Sequence, residues 1–112
     1  LLSDECAESA PEIILPGQCA GHFAGFPALP VAVVMQKLSA IARLILLQRF
    51  GSAVTCAVQR AEVAASDLAW AGESVVCRMV WRRDDGIDTV FEGSATTTAG
   101  VQVGEMVLTL RR

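Results

Sequence analysis

The histidine of this chain, His22, lies in a loop rich in glycine and proline that runs from Gly17 to Pro30. Histidine is the side chain whose unperturbed pKa lies nearest to neutrality, so it suits proton transfer. The loop leads directly into the longest apolar segment, residues 31–50. If this segment is a helix, its first N–H groups have no partner within the helix and lie beside the loop. A base next to a helix N-terminus predicts chemistry on a polarised carbonyl group.

Residues 31–50 predict a long helix that begins after Pro30 and ends before Gly51. Apolar residues cover most of its circumference, which indicates a buried helix. These residues are Val33, Val34, Met35, Leu38, Ile41, Leu44, Ile45, Leu46 and Leu47. The polar residues Gln36, Ser39 and Arg43 follow one another at i, i+3 and i+7, so they form one narrow stripe along the helix.

Period-two alternation and turn residues predict antiparallel strands on both sides of this helix. The predicted strands are Leu1–Ser9, Pro11–Leu15, Ala53–Val63, Ser74–Arg83, Ile87–Thr98 and Val101–Leu110. One face of the fourth strand carries Val75, Cys77, Met79 and Trp81. The triplet Asp84-Asp85-Gly86 predicts a hairpin turn. We therefore expect a single α+β domain over residues 1–112, with one long buried helix wrapped by an antiparallel sheet.

The composition excludes two classes of protein. The net charge is -3, and no cluster of lysine and arginine suggests nucleic-acid binding. Charges interrupt the longest apolar run, so we expect no membrane span.

Hydrophobic residues make up 53% of the chain, and this surplus predicts a subunit interface. An acidic carrier protein would need a basic patch, for which the candidates are Arg78, Arg82, Arg83, Arg111 and Arg112.

The four cysteines, Cys6, Cys19, Cys56 and Cys77, are widely spaced and have no companion histidine cluster. A structural zinc site is therefore not expected. Cys56 and Cys77 fall in apolar strand patterns and are interpreted as small buried hydrophobic residues. We expect no metal or redox cofactor, and the absence of a visible signal peptide predicts a cytoplasmic protein.

The loop and the predicted elements together resemble the FabA/FabZ-type (3R)-hydroxyacyl-ACP dehydratases, which have a hotdog fold. The family loop reads approximately G-H-F-P-G-x-P-x-x-P-G and is followed by the buried helix. The matching positions are Gly21, His22, Phe23, Gly25, Pro27 and Pro30. The downstream strands follow the same layout, so the resemblance covers nearly the whole chain and implies activity on 3-hydroxyacyl thioesters.

Three positions depart from the family pattern. Ala24 replaces a proline of the loop, and Val31 replaces the glycine that opens the helix. Gln36 stands fourteen residues after His22, where the family has Glu or Asp. Dehydration needs a base for the α-proton and an acid for the leaving hydroxyl group. A glutamine cannot deliver a proton at neutral pH, and loss of such a group typically costs about 10²–10⁴-fold in rate.

The resemblance assigns a role to each candidate site residue. His22 is the base, and the N–H of Val31, together with Gly25, polarises the thioester carbonyl group. Gln36 orients the hydroxyl group of the substrate, or alternatively is a buried amide that satisfies a neighbouring backbone group. Phe23 and Phe26 line an acyl tunnel or merely pack the loop. The expected partner molecule is an acyl carrier protein or a CoA thioester, in fatty acid or polyketide-type biosynthesis.

Two alternatives to a dehydratase remain open. The chain is either a non-catalytic or half-catalytic subunit, whose partner supplies the missing acid across a heterodimer interface, or a hotdog acyl thioesterase. In the thioesterase, Gln36 positions a water molecule beside the helix N-terminus. We expect a homodimer or a heterodimer with another hotdog subunit.

Overall fold

The computed structural model describes Leu2, residues 5–15, residues 31–51 and residues 55–112, with the backbone alone at Val31. These residues form one helix and one six-stranded antiparallel sheet. The elements are β1 (Cys6–Glu8), β2 (Glu12–Ile13), α1 (Val31–Phe50), β3 (Ala57–Ala65), β4 (Ser74–Asp84), β5 (Asp88–Thr97) and β6 (Gln102–Arg111). The strand order is β1-β4-β5-β6-β3, and β2 also pairs with β4. The predicted α+β class and antiparallel sheet are confirmed.

Helix α1 packs one face against the sheet, chiefly against β4. Its buried residues are Val34, Leu38, Ile41, Ala42, Ile45 and Leu46. Burial of one large aliphatic side chain contributes about 1.5–3 kcal/mol, so this face anchors the helix. On the other side Leu44, Leu47 and Phe50 are 46%, 40% and 41% exposed. The prediction of a buried helix is therefore correct for one face only, because the sheet covers only one side of α1.

The ends of α1 agree with the sequence prediction. Gly51 follows the helix with φ of 88°, a left-handed conformation that glycine adopts without strain. Its N–H donates to the carbonyl oxygen of Leu47 at 2.9 Å, which satisfies one of the last helical carbonyl groups. Among the described residues, no helix has the length and apolar character needed to span a membrane.

Strands β4, β5 and β6 form a meander whose inner face faces α1. The buried residues of that face include Val75, Cys77, Met79, Phe91, Ala95, Val103, Met106, Leu108 and Leu110. Trp81 is half-buried where the pairing of β4 with β5 shifts. The guanidinium group of Arg49 lies 4.0 Å from the centre of its ring, so Trp81 connects the end of α1 to the sheet. Trp70, in contrast, is 37% exposed and lies outside the core.

The strands before and after α1 differ from their predicted limits. β1 and β2 are only three and two residues long. Leu2 forms an isolated bridge with Ala7, so the chain folds back there instead of continuing one straight strand. β3 begins at Ala57 rather than Ala53, and residues 52–54 lie outside the described residues. Apolar alternation alone therefore overestimated the length of the strands at these places.

The predicted turn between β4 and β5 is confirmed and is held by the carboxylate of Asp84. This carboxylate accepts hydrogen bonds from the N–H of Gly86 at 2.6 Å and from the hydroxyl group of Thr89 at 2.8 Å. The guanidinium group of Arg112 donates to it at 2.6 Å and lies 4.0 Å from the ring centre of Phe50. One carboxylate thus links the hairpin to the end of β6 and to the end of α1.

Gly93 in β5 allows a close approach between β4 and β5. An added Cβ would overlap the Sδ of Met79 and the carbonyl oxygen of Arg78. Because the sheet holds that carbonyl group in place, we expect Gly93→Ala to destabilise the fold by about 1–3 kcal/mol in urea denaturation. The control Ser94→Ala, on the opposite face of β5, should change the free energy of unfolding by less than about 0.5 kcal/mol. Equal stability of the two variants would contradict this packing.

The Asp84 network predicts a specific dependence of stability on pH. Burial raises the pKa of the Asp84 carboxyl group, but the hydrogen bonds from Gly86, Thr89 and Arg112 outweigh burial and lower the pKa from its ordinary 3.8. The stabilisation is therefore present above the unfolded pKa and is lost as the pH falls through the lower folded pKa.

We expect Asp84→Asn to cost roughly 1–3 kcal/mol at pH 7, because it removes a charged hydrogen-bond acceptor. Between about pH 5 and pH 2, its free energy of unfolding should fall less steeply than that of the wild type. The measurement is urea denaturation at a series of pH values. Glu62→Gln, which breaks the exposed ion pair of Arg60 and Glu62, is the control and should keep the wild-type slope. A wild-type slope in Asp84→Asn would refute the assignment.

Candidate functional site

His22, Phe23, Gly25 and Phe26 lie outside the described residues. The helix that follows the loop does begin at Val31, as the sequence predicted. Its first turn carries no acidic side chain, so no carboxylate of α1 itself competes for the N–H groups there. The first N–H groups of a helix have no partner within the helix, and the positive end of its dipole favours a carbonyl oxygen or an anion.

Gln36 lies one and a half turns into α1 with its side chain exposed. The interpretation as a buried amide is therefore wrong for the single chain. Ser39 is half-buried and Arg43 is exposed, so the predicted polar stripe continues along the outward side of the helix. An exposed carboxamide can donate a hydrogen bond and accept one, which suits the orientation of a water molecule or a hydroxyl group.

The residue after Gln36 forms an ion pair that the sequence analysis missed. The Nζ of Lys37 lies 2.6 Å from a carboxylate oxygen of Glu12. The Lys37 side chain is only 19% exposed, whereas that of Glu12 is 54% exposed. This contact ties β2 to α1 and neutralises the ammonium group next to Gln36. A lysine within an otherwise apolar helix was the available signal, but its partner is 25 residues away and follows only from the topology.

The arginines proposed as a basic patch are largely paired with carboxylates. Arg82 pairs with Glu92 at 3.3 Å, Arg111 with Asp88 at 2.9 Å, and Arg112 with Asp84 at 2.6 Å. The Nε of Arg78 donates to the sulfur of Cys6 at 3.3 Å. Three of the five arginines are therefore neutralised by carboxylates and do not contribute free positive charge to a surface for an acidic protein.

Cys77 is a buried residue of the core, as predicted, and Cys56 is half-buried. Burial raises the pKa of the Cys77 thiol to about 11, while nearby Lys37 acts in the opposite direction. At neutral pH the thiol is protonated, so Cys77 is a poor nucleophile. Among the described residues, no group of three His, Cys, Asp or Glu side chains could hold a metal ion.

Comparison with known proteins identifies the fold. No protein-family model and no curated protein matches the chain. A hypothetical thioesterase protein of Streptococcus pneumoniae, solved with coenzyme A, superposes with a TM-score of 0.83 at 7% identity, over 99% of this chain and 80% of that chain. The smu.793 protein of Streptococcus mutans, bound to acetyl CoA, gives 0.83 at 9% identity, over 99% and 83%. A hot-dog-like protein from Thermanaerovibrio acidaminovorans gives 0.81 at 15% identity, over 95% and 78%.

The chain has a hotdog fold. The helix that the sheet packs around is α1, and the stripe with Gln36 lies on its outward side. The fold implied by the loop resemblance is thus confirmed. Identities of 7–15% establish the fold alone, and function has to be argued from the residues of the site.

Proposed function

We propose that this chain acts on acyl thioesters and that its reaction is hydrolysis, as in a hotdog acyl thioesterase. The observation that carries the proposal is the exposed carboxamide of Gln36, near the start of a helix whose first turn lacks acidic residues. An amide can hold the water molecule that hydrolysis needs. It cannot deliver the proton that dehydration needs. The likeness to the hypothetical thioesterase protein of Streptococcus pneumoniae supports the same choice.

The proposed reaction adds water to the thioester carbonyl carbon and breaks the carbon–sulfur bond. The N–H groups at the start of α1, that of Val31 included, hold the carbonyl oxygen as negative charge develops on it. Gln36 orients the water molecule, and His22 takes its proton as general base. The proton then passes to the departing thiolate, so the products are a carboxylic acid and a free thiol. Gly25 completes the carbonyl site, and Phe23 and Phe26 contact the acyl group.

Dehydration of 3-hydroxyacyl thioesters is the second candidate, and the loop around His22 favours it. Six positions at fixed spacing match the dehydratase loop, from Gly21 to Pro30. In this version Gln36 orients the hydroxyl group, and the proton donor comes from another chain. A heterodimer with a hotdog subunit that retains the acid would complete the site.

The comparison with solved structures supports coenzyme A as the carrier of the acyl group. The Streptococcus mutans protein with the same fold is bound to acetyl CoA. We therefore propose acyl-CoA as the substrate.

We further propose that the chain works as a dimer joined along β3. This strand lies at the end of the sheet, and within the described residues it pairs with β6 alone. Eight of its nine residues are exposed, and only Val63 is half-buried. An exposed edge of this length is normally covered or interrupted, because it pairs readily with another chain. The same partner would also cover Leu44, Leu47 and Phe50, the exposed apolar side chains of α1.

The proposed activity predicts different effects for two substitutions of Gln36. Gln36→Ala should lower the release of free thiol from acyl-CoA by roughly 10²-fold, because the attacking water loses its position. If the missing acid is the only difference between this site and that of a dehydratase, Gln36→Glu should create or raise the dehydration of 3-hydroxyacyl-CoA. Thiol release and enoyl absorbance measure the two reactions.

Gln48→Ala, at an exposed glutamine near the other end of α1, is the matched control and should retain full activity. His22→Ala should abolish either reaction. A folded wild-type protein that neither releases thiol nor dehydrates any 3-hydroxyacyl-CoA would refute the proposed function. Dehydration by the wild type without thiol release would favour the second candidate.

The proposed dimer predicts that a charge on the β3 edge separates the chains. Val58 is 47% exposed on β3, so Val58→Lys should not affect the core of a single chain. We expect the wild type to sediment at twice the mass of one chain, and Val58→Lys to sediment at the mass of one. The control Arg60→Lys retains the charge of its position and should stay dimeric. A monomeric wild type at micromolar concentration would rule out this arrangement.

A further inference from the structure

A cavity of about 310 Å³ is lined by residues of α1, of the first two strands and of β4. It lies beside the polar stripe of α1, because Lys37 follows Gln36 and Ala40 is one turn from Gln36 on the helix surface. Its walls are formed largely by apolar side chains. They are Leu2, Ala7, Ala40, Ile41, Leu44 and Cys77. A cavity of this size lies at the lower end of the range for small-molecule sites.

The polar groups at the cavity already have partners. The ammonium group of Lys37 is paired with Glu12 at 2.6 Å. The hydroxyl oxygen of Ser9 accepts a hydrogen bond from the N–H of Cys77 at 3.0 Å, and the thiol of Cys77 stays protonated at neutral pH. A polar ligand would have to displace these contacts, whereas an apolar ligand leaves them intact. The cavity therefore suits a ligand without polar groups.

The length of the cavity corresponds to an aliphatic chain of medium length. The α1 residues that line it run from Lys37 to Leu44, a distance of about 10 Å at 1.5 Å per residue. With carbon–carbon bonds of about 1.5 Å, an extended aliphatic chain advances roughly 1.25 Å per carbon. A chain of about eight carbons therefore spans the lined length, and the alanines at positions 7 and 40 leave room for it.

We propose that this cavity receives the acyl chain of the thioester, and that it selects unbranched aliphatic chains of about eight carbons. This inference rests on the function proposed above. We infer the acyl chain as the occupant from the position of the cavity, which starts one residue after Gln36 and extends towards the C-terminal end of α1. The tail of a thioester held near Gln36 thus reaches the cavity beside Ala40, one turn further along α1, past the ion pair of Lys37 with Glu12.

The test is calorimetric binding of two analogues to the intact protein, each with a methylene group in place of the thioester sulfur to prevent hydrolysis. One is the analogue of acetyl-CoA and the other that of octanoyl-CoA. The octanoyl analogue has six more methylene groups, and each strengthens binding by up to about four-fold when it is fully buried, so we expect this analogue to bind roughly 10²–10³-fold more tightly. Ala40→Phe fills the mouth of the cavity, where Ala40 is exposed. It should remove most of this difference and leave binding of the acetyl analogue nearly unchanged.

Gln48→Phe adds the same ring to α1 at an exposed position that does not line the cavity, so this matched control should retain the chain-length preference. If Ala40→Phe fails to fold, Leu44→Trp narrows the cavity from its exposed edge and should give the same result. Equal affinity of the wild type for both analogues, or equal weakening of both by these variants, would overturn the cavity assignment and leave the proposed function intact. If neither analogue binds and no thioester is turned over, the proposed function fails, and this inference fails with it.

Discussion

The burial of one face of α1 against the sheet is the constraint on which the rest of the molecule depends. Leu38, Ala42 and Ile45 are fully buried there, so the helix cannot rotate about its axis without exposing them. That fixed rotation leaves the side chain of Gln36 in the open and directs Lys37 towards β2. The positions of the exposed amide, of the ion pair and of the cavity are all consequences of a packing arrangement that takes no part in chemistry.

Periodicity revealed most of the fold, because burial on one side imposes a pattern on residues close in sequence. The limits of α1, the alternation in β4 and the turn at Asp84 all follow from local rules. The wide apolar surface of α1 was harder to interpret. Composition records that Leu44 and Leu47 are apolar, but it cannot distinguish a surface covered by the sheet from one that another chain would cover. The ends of β1 and β3 were misjudged for a related reason, since strand length depends on the neighbouring strand.

The candidate site was only partly accessible from the sequence. Spacing from His22 selected Gln36, and the structure places that side chain at the surface, where an amide can meet a ligand. The contact of Lys37 with Glu12 and that of Arg49 with Trp81 join distant parts of the chain, so no local pattern could predict them. The cavity was missed as well. A small side chain such as Ala40 looks the same in the sequence whether a neighbour fills the space above it or the space stays open.

The two short strands at the edge of the sheet set the order in which the fold is assembled. Strands β4, β5 and β6 follow one another through short turns, whereas Ser9 and Cys77, which bond across the edge, are 68 residues apart. Closing so long a loop costs entropy, and strands of three and two residues recover little of it through hydrogen bonds. This edge should therefore form last and open first, well below the free energy of global unfolding. Its opening would release Glu12 from Lys37 and uncover Cys77, while α1 and the meander stay folded. Because β1 and β2 form one wall of the cavity, the cavity has a shorter lifetime than the fold as a whole.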